Sequence, residues 1–257
     1  MLKIERQNII DQEIRKAGYV LVPGLSELLG CSEETIRRDL KEMEKEGRLL
    51  RTHGGAYLVE KSDKGYPIEL RKSYLQNTKE RMAEAALAEI RENDMIMLDA
   101  STTCLSIAEA ILARQMDLTL ITNSLAICNL FGEANSNVNL IGIGGTFRRR
   151  TMSFADPNTV DALRHYYADA AFISSPKLSL EFGLSDNHIS EANVRQQMLR
   201  HAKKKILVMD HTKFEGNANV LFEGLESINL IITDQPLPKA LEDYAARQQI
   251  QLRYTLE

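Results

Sequence analysis

Three short stretches rich in hydroxyl, amide and glycine groups stand where an anion could bind. Each stretch follows a run of apolar residues, and they lie at 99–103, 122–124 and 144–146. A loop between a strand and a helix offers unpaired backbone N–H groups and the positive end of a helix dipole, which suits a phosphate group. Lys213, three residues after Asp210, is a candidate for the cation. The spacing therefore indicates a site for an anionic small molecule.

Each of these features also has an ordinary structural explanation. A hydroxyl group after a strand is most often a helix cap, and Lys213 alone fits a solvated surface lysine. The arginines at 148–150 fit a solvated loop better than a phosphate clamp. Convergence of several such loops at one edge of a sheet is what would make a binding site.

Apolar runs that alternate with helical patterns predict the sheet that would bring these loops together. The predicted strands are 95–98, 118–121, 138–143, 170–173, 206–209, 230–232 and 250–254. Alternating β and α elements with continuously apolar strands indicate a mostly parallel sheet covered on both faces. Ligands of such sheets bind outside the carboxyl ends of the strands, where the polar loops fall.

A different chemistry is indicated near the N-terminus, where basic residues lie on one side of a predicted helix. Ile36, Leu40 and Met43 form its buried stripe at helical spacing, and at about 100° per residue Arg38 and Lys41 lie on the opposite side. Arginine forks match the acceptors of guanine and the oxygens of phosphates. This helix is therefore a candidate for insertion into the major groove of DNA.

The elements around the basic helix occur in the order of a winged helix-turn-helix. A helix is predicted over 3–17, a short strand over 19–22 and a short helix from Pro23 to Gly30, ahead of the basic helix at 32–46. A hairpin over 48–58 follows as the wing. Two amphipathic helices with surface arginines are common in proteins that bind no DNA. The prediction of DNA binding therefore depends on the order of the elements, in which a basic helix follows a tight turn and precedes a basic hairpin.

Composition limits where nucleic acid can bind and where the protein works. The net charge is −4, and residues 1–59 hold ten basic and ten acidic side chains, so DNA binding requires a local patch. The three cysteines have no metal spacing, and neither a metal nor a cofactor is expected. A charged start at residues 1–7 and the lack of a long apolar stretch predict a cytoplasmic protein without membrane contact.

The N-terminal residues resemble the DeoR/GlpR family of bacterial transcriptional regulators. The resemblance rests on SEETIRRDL at 32–40, EG at 46–47 and RTHGGA at 51–56. It implies DNA operators near genes of sugar metabolism, and usually repression. The DNA-binding residues expected from the motif and the helix are Ser32, Glu34, Thr35, Arg37, Arg38, Lys41, Arg51 and His53.

The resemblance continues through LDASTT at 98–103, LITNS at 120–124, GIGG at 142–145, EANVR at 191–195, DHTKF at 210–214 and ITD at 232–234. These motifs are similar to those of the family's effector domain, which implies a fold like ribose-5-phosphate isomerase and CoA transferases. The implied ligand is a phosphorylated sugar or sugar derivative. The effector contacts expected by motif are Asp99, Ser101, Thr102, Thr103, Thr122, Asn123, Gly145 and Lys213. Arg195 departs from the family, where lysine is common.

The expectation is therefore an α/β protein with a winged helix-turn-helix at 1–58, a linker at 59–77 and an effector-sensing domain at 78–257. Its expected function is that of a transcriptional regulator, most simply a repressor, that binds a double-stranded operator as a homodimer or tetramer. Two alternatives stay open. One is a sugar-phosphate isomerase with an accessory DNA domain, in which Asp99, Glu191 and Lys213 supply acid–base chemistry. The other is an interaction module whose helix-turn-helix binds protein.

Overall fold

The computed structural model describes residues 1–52, 54–58, 67–214 and 216–256. The chain divides into two compact units, Met1–Leu75 and Gln76–Glu257. None of the helices in the described ranges combines the length and the apolar character needed to cross a bilayer.

The N-terminal unit is a helix-turn-helix followed by a small antiparallel sheet, as the order of patterns predicted. Its elements are α1 (Lys3–Ala17), β1 (Tyr19–Leu21), α2 (Val22–Leu29), α3 (Glu33–Lys45), β2 (Leu50–Arg51), β3 (Gly55–Tyr57) and α4 (Ile68–Ser73). The three strands are ordered β1-β3-β2, so the hairpin of β2 and β3 is anchored by β1. The core beneath them contains Ile10 and Ile14 of α1 and Ile36, Leu40 and Met43 of α3.

The predicted linker at 59–77 requires a correction. Residues 59–66 lie outside the described part of the chain, but residues 68–73 form α4 within the N-terminal unit. Ile68 and Leu70 of this helix are buried. The apolar side chains at 68 and 70 were too few to signal a helix, and Pro67 was interpreted as a break when it is the N-cap of α4.

Gly55 allows β3 to approach β1 and α4 closely. A Cβ atom at this position would lie 1.9 Å from the carbonyl oxygen of Val20 and 2.8 Å from Cδ2 of Leu70. The first of these atoms belongs to the backbone of the paired strand and cannot rotate away. The glycine pair in the wing therefore has a packing role in addition to forming a turn.

We expect Gly55→Ala to lower the free energy of unfolding of the N-terminal unit by about 1–3 kcal/mol, the usual cost of forcing atoms into a packed site. Gly24→Ala is the matched control, because no atom lies within 4 Å of its Cβ and α2 gains from alanine. Urea unfolding of both variants measures the difference. Equal stability of the two variants would show that β1 and β3 can separate without cost.

The C-terminal unit is an α/β domain, and its elements before the fourth strand of the main sheet are α5 (Gln76–Leu87), β4 (Met95–Leu98), α6 (Thr102–Ala113), β5 (Thr119–Thr122), α7 (Leu125–Gly132), β6 (Asn139–Gly142), β7 (Phe147–Arg148), β8 (Ser153–Phe154) and α8 (Pro157–Leu163). The elements that follow are β9 (Ala168–Ile173), β10 (Lys177–Ser179), β11 (Gly183–Asp186), α9 (Ile189–Arg200), β12 (Ala202–Val208), β13 (Val220–Glu223), β14 (Leu230–Thr233), α10 (Lys239–Arg247) and β15 (Gln251–Tyr254).

Seven strands form one parallel sheet in the order β15-β14-β12-β9-β4-β5-β6. These are the seven strands predicted from the apolar runs, so the α/β class and the parallel sheet are confirmed. Seven further elements were not predicted from the sequence, namely the short strands β7, β8, β10, β11 and β13 and the helices α8 and α9.

In the strands between the two edges of the sheet, side chains alternate between two apolar cores, one on each face of the sheet. In β4, Ile96 and Leu98 belong to one core, whereas Met97 belongs to the other. Phe172 and Ile173 of β9 divide in the same way. Because both faces are covered, the carboxyl edge of the sheet is where polar side chains collect.

Candidate functional site

Helix α3 presents a cationic face because its other face is held in the core. Ser32 caps the helix by accepting a hydrogen bond from the backbone N–H of Thr35 at 3.3 Å. Ile36, Leu40 and Met43 are buried, whereas Arg38 and Lys41 are exposed. The predicted orientation of the helix is confirmed. The helix has a diameter that fits a major groove, and its exposed face is positively charged.

The other residues predicted to bind DNA are more closely tied to the protein. Arg37 pairs with Glu33 at 2.7 Å across one helical turn. The hydroxyl groups of Ser32 and Thr35 lie 3.0 Å apart and hydrogen bond to each other. Glu34 is exposed in the first turn, where it favours the helix dipole.

In the wing, the backbone N–H of Arg51 donates to Oε1 of Glu44 at 2.9 Å, and the guanidinium lies 3.9 Å from the other oxygen. Glu44 belongs to α3, so it fixes the first strand of the wing to this helix. The second residue predicted at the wing, His53, lies outside the described residues.

An ion pair clamps α1 to α3, and it was not predicted from the sequence. Arg6 donates to both carboxylate oxygens of Asp39, with Nε at 2.7 Å and a second nitrogen at 3.2 Å. This hydrogen bonding is the main cause that raises the pKa of Arg6 above its ordinary value. Asp39 is 1% exposed and lies on the buried side of α3. An acidic residue within an apolar stripe was the available signal, since a buried carboxylate requires a partner.

At the carboxyl edge of the parallel sheet, side chains at or just after the ends of four strands, together with one from α9, form a polar group that we term the sheet-edge cluster. Its members are Asp99, Ser101, Thr103, Thr122, Asn123, Ser174, Arg195, Asp210 and Lys213. All of them except Lys213 are almost completely buried.

Asp99 lies at the centre of the sheet-edge cluster, and both of its oxygens are occupied. Oδ1 accepts from the backbone N–H of Ser101 at 3.0 Å. Oδ2 accepts from the backbone N–H of Ser174 at 3.2 Å and from Nε of Arg195 at 2.6 Å. Arg195 also pairs with Asp186 at the end of β11. Asp99 therefore positions two loops and an arginine, which differs from the direct effector contact that the motif implied.

The charges in this group stabilise one another. Burial raises the pKa of Asp99, but the positive charge of Arg195 and the hydrogen bond from Ser101 lower it by more than burial raises it. The pKa of Asp99 therefore lies below its ordinary value. Burial lowers the pKa of Arg195, but the negative charges of Asp186 and Asp99 outweigh it and raise the pKa. The arginine that departs from the family pattern is therefore a paired internal charge.

Two of the predicted contact residues have buried oxygens without a partner among the described residues. The amide of Asn123 donates to the carbonyl oxygen of Phe154 at 2.8 Å, while its Oδ1 has no donor. Oγ1 of Thr103 is buried at the start of α6 and has no partner either. Unpaired buried oxygens are costly, so these two atoms are suited to hydrogen bonds from a ligand.

Ser101 and Thr122 are used by the protein itself. The hydroxyl of Ser101 caps α6 by accepting from the backbone N–H of Cys104 at 3.1 Å. The hydroxyl of Thr122 donates to the carbonyl oxygen of Leu98 at 2.8 Å and accepts from the backbone N–H of Ser124. Thr102 is buried in the first turn of α6. The interpretation of Ser101 as a helix cap is therefore confirmed, and the side chain of Ser101 holds the loop that precedes α6.

Gly145 is explained by packing against α8. Its φ is +141°, and a Cβ there would lie 2.1 Å from Oγ1 of Thr159 and 2.7 Å from a carboxylate oxygen of Asp156. Asp156 caps α8, and hydrogen bonds from the backbone of Thr159 and the side chain of Thr146 lower its pKa to about 2. The close approach that requires glycine at 145 is therefore an approach to the protein itself.

Lys213 is anchored within the sheet-edge cluster. Its ammonium group donates to the hydroxyl of Ser174 at 3.0 Å and lies 3.3 Å from Oδ2 of Asp210. Burial raises the pKa of Asp210, but the charge of Lys213 lowers it to below the ordinary value. The side chain of Lys213 is 23% exposed. It therefore remains open to a ligand at the sheet edge, and the interpretation as a solvated surface lysine is wrong.

A second polar group, formed by Arg148 and Glu191, was missed because its members are far apart in sequence. Oε1 of Glu191 accepts from the hydroxyl of Ser153 at 2.6 Å and from that of Thr151 at 3.0 Å, and Arg148 lies 3.3 Å away. Arg148 also donates to Ser190 at 3.1 Å. Its side chain is 15% exposed, so the expectation of a solvated loop is wrong for this arginine.

We expect Arg195→Ala to lower the free energy of unfolding of the C-terminal unit by about 3–5 kcal/mol, because two buried carboxylates lose their counter-charge. Arg195→Lys keeps the charge but cannot span both carboxylates, so its loss should be smaller. Arg200→Ala on the exposed side of the same helix serves as the control and should change stability by less than about 0.5 kcal/mol. Urea unfolding of the full chain measures all three, and an Arg195→Ala protein as stable as the control would contradict this assignment.

The chain matches two family models that together span both units. Residues 6–62 match the DeoR-like helix-turn-helix domain and residues 75–235 match the DeoR C terminal sensor domain. It is 29% identical to the HTH-type transcriptional regulator IolR of Bacillus subtilis over 97% of this chain and 98% of the relative. It is 30% identical to the L-fucose operon activator of Escherichia coli over 91% and 96%. It is 32% identical to the HTH-type transcriptional regulator GlpR of Haloferax volcanii over 92% of each chain.

Similarity to solved structures is weaker. A ribose 5-phosphate isomerase from Methanocaldococcus jannaschii aligns with a TM-score of 0.40 and 14% identity over 55% of each chain. At this level the likeness bears on neither ligand nor activity.

A helix-turn-helix with an exposed cationic helix, joined to an α/β sensor unit, defines a DNA-binding transcriptional regulator. The chain belongs to the DeoR family. Its relatives are named as regulators, and the chain is a regulator and not an enzyme. The carboxylates considered for the isomerase alternative, Asp99 and Glu191, are both held by protein groups.

Proposed function

We propose that this regulator represses genes of sugar metabolism by binding an operator through α3 and the wing, and that a phosphorylated sugar or sugar derivative bound at the sheet-edge cluster controls the repression. The observation that carries the DNA-binding part is the exposure of Arg38 and Lys41 opposite the buried stripe of α3. The fucose operon activator shows by its name that relatives of this chain regulate sugar operons.

The ligand part rests on the chemistry of the sheet-edge cluster. Lys213 supplies a partly exposed cation, and the unpartnered oxygens of Asn123 and Thr103 are suited to hydroxyl donors. A molecule that carries both an anionic group and hydroxyl groups satisfies all three. A sugar phosphate is the simplest molecule of this kind.

We further propose that two or four copies assemble on a near-palindromic operator, so that two α3 helices occupy successive major grooves. A ligand that favours one arrangement of the copies shifts the population able to bind DNA. A coupling of about 1–3 kcal/mol changes operator affinity by roughly 5–150-fold.

Arg38→Ala should weaken binding to the DNA upstream of this protein's own gene by about 1–3 kcal/mol, or roughly 5–150-fold, if Arg38 contacts a base or a phosphate. Loss of a phosphate contact should also reduce the slope of log affinity against log salt by about 1. Fluorescence anisotropy at several salt concentrations measures both quantities.

Arg200→Ala removes the same charge from the sensor unit and should leave operator affinity and its salt slope unchanged. A normal Arg38→Ala protein would rule out this face of α3 as the reading surface. Loss of binding in both variants would point to a nonspecific effect of net charge.

Lys213→Ala should abolish the response to ligand without changing basal operator affinity. A panel of phosphorylated sugars is first tested for a rise in melting temperature, since a ligand at 100 times its Kd stabilises the folded state by about 2.7 kcal/mol. The best sugar phosphate is then titrated into the protein–operator complex. Lys203→Ala is the matched control, because Lys203 is an exposed lysine near the amino end of β12, the strand that Lys213 follows. A Lys213→Ala protein that still releases the operator normally would remove this lysine from the site.

A further inference from the structure

Glu34 is an acidic residue on the side of α3 that carries Arg38 and Lys41. At about 100° per residue, Glu34 lies about 150° around the helix from the centre of the buried stripe and about 40° from Arg38. It is exposed, and within the part of the chain that the structure describes it makes neither a hydrogen bond nor an ion pair. In helix-turn-helix proteins, the N-terminal residues of the helix in the major groove contact base edges. Glu34 occupies such a position in the first turn of α3.

The neighbouring acid shows that α3 does not require the charge of Glu34 for its own stability. Glu33 lies in the same turn about 100° away, where it also favours the helix dipole, and it pairs with Arg37 at 2.7 Å. Arg38 follows Glu34 at the same spacing of four residues, but no ion pair joins these two side chains in the described ranges. Both charges on the outer side of α3 therefore remain available to DNA.

A carboxylate on this side of α3 opposes the binding of DNA in general. The phosphates of a duplex carry one negative charge per about 1.7 Å, and they repel the carboxylate whatever the base sequence. Glu34 therefore lowers the affinity for every duplex unless a base compensates for the repulsion. Compensation requires a hydrogen-bond donor, because an ionised carboxylate only accepts.

Cytosine is the base that supplies this donor best. In the major groove, guanine presents only acceptors, and thymine presents an acceptor and a methyl group. Adenine presents the N6 donor beside the N7 acceptor, and N7 repels the second carboxylate oxygen. Cytosine presents its N4 amino group without an acceptor of its own beside it.

We infer that Glu34 is a specificity-determining residue that accepts a hydrogen bond from N4 of a cytosine in the operator, and that its charge weakens binding to duplexes without this cytosine. The inference rests on the proposed function, in which α3 occupies the major groove. Four residues of helix span about 6 Å and stacked base pairs are about 3.4 Å apart, so the cytosine lies within about two base pairs of the position that Arg38 reaches.

Selection by the full chain from a random duplex library, followed by sequencing, tests the inference. The parent should select cytosine at one position of each half-site, and changing that base pair should weaken binding at least about fivefold by fluorescence anisotropy. Glu34→Gln should select adenine at the same position, because the glutamine amide can donate to N7 and accept from N6. A role of Glu34 in helix stability alone would not change the selected base.

Glu33→Gln is the matched control, since it removes the same charge from an exposed position in the same turn but away from the groove side. It should select the same bases as the parent. Glu34→Gln should also bind a duplex without the operator at least about twofold more tightly than the parent does, because a negative charge close to phosphates is removed.

A Glu34→Gln protein with the base preference of the parent would overturn the inference, and so would an equal shift of preference in Glu33→Gln. A gain of affinity that is the same for all sequences would also overturn it, because the carboxylate would then act only by its charge. These results leave the proposed function intact when Arg38→Ala still weakens operator binding. If the parent selects no sequence, the inference and the DNA-binding part of the proposed function both fail.

Discussion

The C-terminal unit depends on the burial of one arginine between two carboxylates. Arg195 reaches from α9 to Asp99 after β4 and to Asp186 at the end of β11, and it is 7% exposed. Charges in such a place are stable only when all of them are present and hydrogen bonded. Since Asp99 also accepts from the loops at 101 and 174, the same ion pair fixes the start of α6 and the end of β9.

The N-terminal unit uses the same principle on a smaller scale. Arg6 holds Asp39 on the inner side of α3, where an unpaired carboxylate would oppose burial of the apolar stripe. With α3 fixed on α1, Arg38 and Lys41 lie on the outer face, about 130–170° around the helix from the centre of the stripe at about 100° per residue. In both units, an internal ion pair positions the polar surface that is available to a ligand.

Sequence patterns were sufficient for features that repeat locally. The seven parallel strands are continuous apolar runs and α3 has a regular stripe, so both could be predicted. The clamp of Asp99 and Arg195 could not, because 96 residues separate its members. The hairpin β7–β8 has two residues in each strand, too few for a period to be visible. Gly145 was predicted to let an anion approach the backbone, whereas the group it accommodates in the structure is Thr159, 14 residues away, which no local pattern indicates.

The ion pair between Lys213 and Asp210 at the sheet edge affects how the proposed site distinguishes ligands. The negative charge of Asp210 partly compensates the positive charge of Lys213, so it weakens the attraction of an anion to this lysine. Under the proposed function, discrimination comes from Asn123 and Thr103, because their buried oxygens have no partner among the described residues and gain hydrogen bonds from a ligand with correctly placed hydroxyl groups. A site built on such atoms rejects an analogue that lacks the hydroxyl far more strongly than a charged or apolar pocket does, because the oxygens are left unpaired. The proposed site therefore favours a ligand that presents hydroxyl groups to these two oxygens over a ligand that offers charge alone.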